Sequence, residues 1–475
     1  MTNLYGIIPM LIVMLAGIAA MLAEAFRQPG ERMPMFGLGL IGLFGAAAAA
    51  IVLWDTNASS FGVVRSDNFA LFVDLILCAI GVLTMVFSHG VVEREGIPAG
   101  EYYALTLFGI AGMMLMASAT DLLIIFLALE VLSLSVYVLT GIRRASAAGA
   151  EAAFKYFLLG AFSSAFFLYG IAFAFAISGS TRLDDVAVAM ASGSNGTLAL
   201  LAVGLLAVGF AFKVSAVPFH MWTPDAYEGA PTVVTAFMST AVKAAAFAAF
   251  VRVFLSTLEP MQGHWIPVLS AISAVTMILG TVVGVLQTNV KRMLAYSSIA
   301  HAGYLLLGIV AANPSGKAAV LFYLAAYAVA NIGALGIVAL LGTADHQHDQ
   351  LRDFAGLWRT RPALAGLMTI FLLSLGGFPP LAGFVAKWYI FAAAVQEAHY
   401  TLAIIGVLSS VVSVFFYLRI VVMMYMTDEA AAPAGPALSF PATAGLALAT
   451  IATFYLGVLP TQVLNAALQS VQGIF

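Results

Sequence analysis

Four ionisable side chains sit in the middle of stretches that are otherwise apolar, and they are where chemistry would happen. Glu130 lies in DLLIIFLALEVLSLSVYVL, Lys213 in LAVGFAFKVSAVPFHMW, Lys243 in FMSTAVKAAAFAAF and Lys387 in SLGGFPPLAGFVAKWY. A charge at a bilayer centre costs about 2.5–3.5 kcal/mol even on lenient insertion scales, so each needs a reason. Glu130 and Lys213 are read as a pair. Lys243 and Lys387 have no mid-span acid to match them, since Asp74 lies near the start of its run. Burial without a counter-ion disfavours a lysine's charged form. A lysine poised between charged and neutral near pH 7 carries protons.

Two backbone breaks accompany the lysines. Pro218 follows Lys213 by five residues, and Gly376, Gly377, Pro379 and Pro380 precede Lys387 by seven to eleven. Proline removes a helical donor and clashes with the preceding turn. A membrane tolerates such a break only where the freed carbonyls face protein or water, and interrupted helices in corresponding halves point to ion sites. His220 lies two residues past Pro218. His301 lies in AYSSIAHAGYLLLG beside Ser297, Ser298 and Tyr304. Both are read as proton relays, because histidine titrates near physiological pH. Haem is the rival reading, but only these two histidines are deep. Arg419, in VSVFFYLRIVVMMY, is nearer a span end and can snorkel. Asp74, Glu151 and Arg419 remain open between channel residue and anchor.

The elements that position these groups follow from composition. The chain has 475 residues, 63% hydrophobic and 9% charged, with a mean hydropathy of +1.04. Soluble domains carry about 25% charged residues, so a soluble globular enzyme is excluded. The net charge of −3 offers no basic surface for nucleic acid. A single cysteine, Cys78, rules out an intrachain disulfide, a thiolate zinc site and a four-cysteine iron–sulfur cluster. No cofactor or metal site is expected. Continuous rather than alternating apolar runs argue for helices over a barrel.

At about 20 residues per span, fourteen runs qualify: 4–24, 35–54, 69–90, 102–119, 121–142, 154–177, 198–222, 231–255, 266–287, 293–312, 318–342, 363–395, 401–426 and 442–468. No basic residue precedes the first run, so it reads as a retained helix rather than a signal peptide. With the N-terminus outside, eleven Lys and Arg fall in inside loops, against four outside (Arg65, Arg182, Arg252 and Lys317). That bias sets the orientation and puts both termini on the outer, periplasmic side. The polar inside loop at 343–362, with His346, His348, Arg352, Asp353, Arg359 and Arg361, is a possible surface for a neighbouring subunit, although a solvated loop is the plainer reading. The broken spans are five apart, so two five-helix units of opposite orientation are expected. The layout becomes a three-helix segment at 1–100, repeats at 101–257 and 258–428, and a C-terminal helix at 429–475. The fold class is all-α and polytopic.

These motifs, together with FKVSAVPFHMWTPDAYEGAPTVVTAFMSTAVKAAAF and NVKRMLAYSSIAHAGY, resemble the antiporter-like membrane subunits of respiratory complex I, the NADH–quinone oxidoreductase. The resemblance spans essentially the whole chain. The lysine at the span-twelve position suits two of the family's three branches. The length excludes the longer of those two, which extends past 600 residues with a lateral helix. The resemblance implies a proton-pumping module coupled to quinone reduction, with Glu130, Lys213, Lys243 and Lys387 as proton-transfer residues. It implies that NAD, FMN, iron–sulfur clusters and quinone are bound by partner subunits. The expected partners are the other membrane and peripheral subunits, lipids and protons. The alanine-rich composition suggests a bacterial inner membrane. Two alternatives remain: a subunit of a multi-subunit cation/proton antiporter, and a purely structural spacer.

Overall fold

The computed structural model describes residues 4–28, 35–193, 196–343, 347–427, 437–472 and 474. Arg32 and His346 lie outside the described residues. Among the described residues, thirteen helices are long and apolar enough to cross a membrane. A fourteenth crossing is made by two shorter helices in line, so the expected count is met.

In chain order the crossings are α1 (Ile8–Ala25), α2 (Met35–Val52), α3 (Asn68–Ser88), α4 (Ala99–Ser118), α5 (Leu122–Thr140) and α6 (Ala147–Ser178). Then come α7a (Gly196–Lys213) with α7b (Trp222–Gly229), α8 (Thr232–Thr257), α9 (Gln262–Val285), α10 (Val290–Val310) and α11 (Pro314–Leu341). The last are α12a (Pro362–Gly376) with α12b (Ala382–Gln396), α13 (Tyr400–Met426) and α14 (Phe440–Val458). A two-stranded antiparallel hairpin, Ala58–Ser60 with Val64–Ser66, and a short helix, Leu183–Ala191, belong to the connections.

The polar residues that punctuate the apolar runs act as helix N-caps. Asp67 accepts from Ala70 N at 2.8 Å, Asp121 from Leu123 N at 2.8 Å, Ser146 from Gly149 N at 3.1 Å and Asn289 from Arg292 N at 3.0 Å. Each satisfies a donor that the first helical turn leaves open. Asp121 also accepts from Thr181 Oγ1 at 2.6 Å. That bond fixes the tight α4–α5 turn to the α6–α7 connection.

The layers follow from burial. α8 is wholly buried and α10 nearly so, with α3 and α11 close behind. α1, α2, α6, α9, α13 and α14 bury about a third of their residues and expose aliphatic and aromatic side chains on the outer surface. The buried helices are those that carry Lys243, His301 and the residues facing them.

Three sequence expectations change. The last span is shorter than 442–468, because α14 stops before Pro460 and a separate helix, Thr461–Gln472, follows. Arg252 is not an outside-loop charge. It lies inside α8, fully buried, donating to both Asp67 oxygens at 2.9 and 2.8 Å and to the Ala117 carbonyl at 3.0 Å. Lys291 also leaves the solvated tally. It is fully buried and donates to the Glu228 carbonyl at 2.8 Å, the Ala230 carbonyl at 2.6 Å and Gln347 Oε1 at 3.0 Å.

Candidate functional site

Both breaks fall where the prolines and glycines placed them. In the first, α7a ends at Lys213 and the chain unwinds until Trp222. The freed backbone is satisfied internally. Val217 N donates to Thr276 Oγ1 at 3.0 Å, Ala216 N to the Ala211 carbonyl at 2.8 Å, and Trp222 Nε1 to the Phe212 carbonyl at 3.0 Å. In the second, Gly377 turns with φ of +90° at the end of α12a. α12b then packs so tightly that a Cβ on Gly383 would lie 1.8 Å from the Ser374 carbonyl oxygen. A Cβ on Gly457 of α14 would meet the Pro380 carbonyl oxygen at 2.0 Å, so α14 seals this break from outside.

The lysine comes before the first break and after the second, yet its helical setting is equivalent. Lys213 is the last residue of α7a. Lys387 reaches back to the last residue of α12a, donating to the Gly376 carbonyl at 3.0 Å and to Ser410 Oγ at 2.7 Å. A helix C-terminus presents partial negative charge and favours a cation. Each break thus creates a half-helix end that helps hold an ammonium inside the protein.

Glu130 and Lys213 do not form the direct ion pair expected. Lys213 Nζ donates to Ser133 Oγ at 2.7 Å. Glu130 is half-buried and accepts from Ser164 Oγ at 2.5 Å. Ser133, Ser164 and Lys213 share a cavity of about 10 Å³, room for roughly one water. Two hydroxyls and that space therefore separate the charges. The rings of Tyr137 and Tyr156 lie 5.6 and 5.5 Å from Lys213 Nζ, and Tyr156 stacks on Trp222 at 4.1 Å. The cation is held by ring faces and one hydroxyl rather than by a carboxylate.

Lys243, in the centre of α8, donates to the Ser298 carbonyl and to Ser298 Oγ at 2.6 Å, with the Tyr327 ring 5.8 Å away. Neighbouring Ser297 bonds the Tyr417 hydroxyl. That hydroxyl is 3.2 Å from His301 Nε2, and His301 Nδ1 is 2.7 Å from the Tyr323 hydroxyl. The His301 ring meets Tyr304 edge-on at 5.6 Å, and the Tyr304 ring lies 5.2 Å from Lys387 Nζ. Lys243, His301 and Lys387 thus share one buried polar line across α8, α10, α11, α12b and α13. No carboxylate lies within ion-pair distance of any of the three lysines among the described residues. Such a line can pass protons between bases and hydroxyls without a fixed counter-charge trapping them.

His220 is not drawn into this line. It is half-buried in the first break, with Nδ1 lacking a hydrogen-bond partner among the described residues. Arg419 proves to be an anchor, donating to the Val285 carbonyl at 2.9 Å and to the Gln287 carbonyl at the end of α9. Glu151 pairs with Lys155 at 2.7 Å on the surface.

Comparison with known proteins places this geometry. The family described as "NADH:quinone oxidoreductase/Mrp antiporter, TM" matches residues 119–413. The NADH-quinone oxidoreductase subunit N of Trichlorobacter lovleyi is 43% identical over 99% of this chain and 97% of its own length. That of Chloroflexus aggregans is 43% identical over 96% and 94%. The chain belongs to the subunit N family of NADH-quinone oxidoreductases. A chain of the respiratory complex I from Thermus thermophilus superposes on this subunit N family member with a TM-score of 0.82, at 35% identity, covering 96% of this chain and 98% of that one. A chain of the Mrp complex from Dietzia sp. shares the fold, with a TM-score of 0.85 at 21% identity, covering 99% and 98%. The family assignment agrees with the branch that the Lys387 position and the chain length left standing.

Sequence reasoning missed the hydroxyls that join the charges in this subunit N family member: Ser133, Ser164, Tyr323, Ser410 and Tyr417. Serine and tyrosine are common in apolar helices, and only the helix faces reveal which ones converge. A tyrosine deep in a span needs a partner for its hydroxyl, which was the one available signal for Tyr417 and Tyr323.

Proposed function

We propose that the chain is a proton-translocating membrane subunit of an NADH-quinone oxidoreductase, a non-redox module that couples quinone reduction to proton pumping. The observation that carries this is the buried polar line of Lys243, His301 and Lys387, with no carboxylate in ion-pair reach among the described residues. Lys213, Lys243 and Lys387 are the groups that take up and release protons, with His301 between the latter two and His220 at the first break. Glu130 modulates Lys213 through Ser164 and the intervening water-sized space. An opposite charge favours the protonated lysine more strongly as it approaches. Lys387 passes its proton to the outer half beside the unwound segment. The two broken helices belong to two five-helix units of opposite orientation. NAD, FMN, iron–sulfur clusters and quinone belong to partner subunits, which supply the redox-linked push. The inside-loop excess of Lys and Arg supports periplasmic termini in a bacterial inner membrane.

The test is NADH-driven proton uptake into inverted membrane vesicles, with electron transfer to quinone recorded in the same samples. Lys387→Ala, Lys213→Ala and Glu130→Gln should assemble and lose coupled pumping. Normal pumping in all three would sink the reading. The fold shared with the Mrp complex favours one second reading, a cation/proton antiporter subunit. Purification without a flavin- and iron–sulfur-containing arm would select it.

A further inference from the structure

The lysine line runs laterally, and a proton must first reach Lys243 from the inside face. Lys243 directly follows a π-helical turn, Met238–Val242, an irregularity frequent at functional sites. Ser239 stands one turn nearer the inside on the same face of α8. There it accepts from Asn331 Nδ2 at 2.8 Å while its own hydroxyl donates to the Ala236 carbonyl at 3.1 Å. Asn331 belongs to α11, one turn inward of Tyr327, whose ring faces Lys243.

Asn331 is 1% exposed, and its Oδ1 has no hydrogen-bond partner among the described residues. The Tyr327 hydroxyl and Thr84 Oγ1 on α3 are buried and unpartnered in the same way. Thr84 lies at the matching depth. α3 and α11 run in the same direction, and their level is fixed where the Phe87 ring presses on Gly336, 2.9 Å from where a Cβ would stand. Three residues back from each contact is Thr84 on one helix and residue 333 on the other. That depth is about 3 Å from Asn331, at 1.5 Å per residue. Buried polar atoms are almost always partnered by protein or ordered water. Asn331 Oδ1 and Thr84 Oγ1 just inward of a buried lysine, with the Tyr327 hydroxyl beside it, on two helices that touch, describe a water site.

A purely structural role does not account for Asn331. Its amide ties α11 to α8, but its carbonyl is left with an uncompensated desolvation cost of about 1–3 kcal/mol. A leucine of similar size would remove that cost, and Ser239 would keep its bond to Ala236. A structural asparagine here is therefore dispensable.

Building on the proton-translocation reading above, we propose that Asn331 and Ser239 form the inner inlet to Lys243, holding the water from which the neutral lysine amine takes its proton. Asn331 is a positioning residue and neither gains nor loses a proton. The water's proton passes to Lys243 Nζ, converting –NH2 to –NH3+, and the water is re-protonated from the inside phase. Thr84 lines the same space.

The experiment uses the whole complex in inverted vesicles, with Lys243→Ala as reference and intact complex quantified on native gels. Asn331→Leu should assemble and lose proton uptake per NADH oxidised by at least about tenfold, less than the roughly 10²–10⁴-fold of a group that itself transfers the proton, because Asn331 only positions the water. Asn331→Ser, which restores a hydroxyl and leaves room for water, should recover much of it. Wild-type pumping in Asn331→Leu alongside a defective Lys243→Ala overturns the inlet alone. Wild-type pumping in Lys243→Ala overturns the functional reading on which the inlet rests. If Asn331→Leu fails to assemble, Ser239→Ala decides between the same outcomes, because it removes one hydroxyl and almost no volume.

Discussion

The Arg252–Asp67 pair is the interaction in this protein whose loss has the most calculable cost. Both side chains are fully buried, and the guanidinium meets the carboxylate through two bonds of 2.9 and 2.8 Å. Among the described residues, Asp67→Ala leaves Arg252 with only the Ala117 carbonyl and the Phe69 ring at 5.1 Å. Breaking a buried pair from one side costs about 3–5 kcal/mol, because an uncompensated charge stays behind. Asp67 also caps α3 through Ala70 N, which adds about 1 kcal/mol. The expected total is about 4–6 kcal/mol, or on the order of 10³–10⁴ in local opening at 1.4 kcal/mol per tenfold. Hydrogen exchange on the detergent-solubilised complex reads this directly, as faster exchange in the first turns of α3 and the last turns of α8. The double variant Asp67→Asn with Arg252→Met removes both charges and keeps a good N-cap, so most of the protection should return. Unchanged exchange in Asp67→Ala would refute the reasoning, as would a double variant as labile as the single one.

Two other outcomes follow from local geometry. Gly383→Ala drives a Cβ into the Ser374 carbonyl oxygen, so α12b must shift and Lys387 loses its bond to Gly376. Overpacking of this kind costs about 1–3 kcal/mol or more, and pumping should fall sharply. Gly366→Ala, where a Cβ meets nothing within 4 Å, should leave pumping and assembly unchanged. Glu95, in the α3–α4 connection, has its carboxyl raised above its ordinary value by burial, opposed by Arg143, Lys291 and Arg94. A group with a raised folded-state pKa holds its proton more tightly when folded, so stability falls as pH rises through the carboxylate range and above. Thermal inactivation of the complex across that range should therefore be less pH-dependent in Glu95→Gln than in wild type. An equal slope in both would refute it.

Much of this protein was legible in its sequence, for a physical reason. In a bilayer every backbone polar group must be satisfied within its own segment, so apolar length alone implies helices and their number. Rarity did the same for the charges. Lys243 and Lys387 stand out because a charge in an apolar run is costly, and Pro218 and the Gly376–Pro380 stretch stand out because breaks are costly too. Even so, the linear pattern misplaced Arg252 and Lys291. A charge near a span end reads as solvated, whether it meets water or a carboxylate from a helix far away in the chain. The expected Glu130–Lys213 ion pair failed likewise, since depth in the membrane is visible in sequence but rotation about the helix axis is not.

The tertiary structure alone decided which polar groups share a space. Ser133 and Ser164 come between Glu130 and Lys213, Tyr417 joins Ser297 to His301, and Asn331 meets Ser239 across 92 residues of chain. Each contact depends on the packing angle and register of two helices, set by many small apolar fits rather than by the polar residues themselves. The sequence by itself determined what the chemistry could be made of and how deep each group lies. The packing of α8, α10 and α11 decided what touches what, because hydrogen bonds act over about 3 Å while helical periodicity fixes a residue's face only to within a large fraction of a turn.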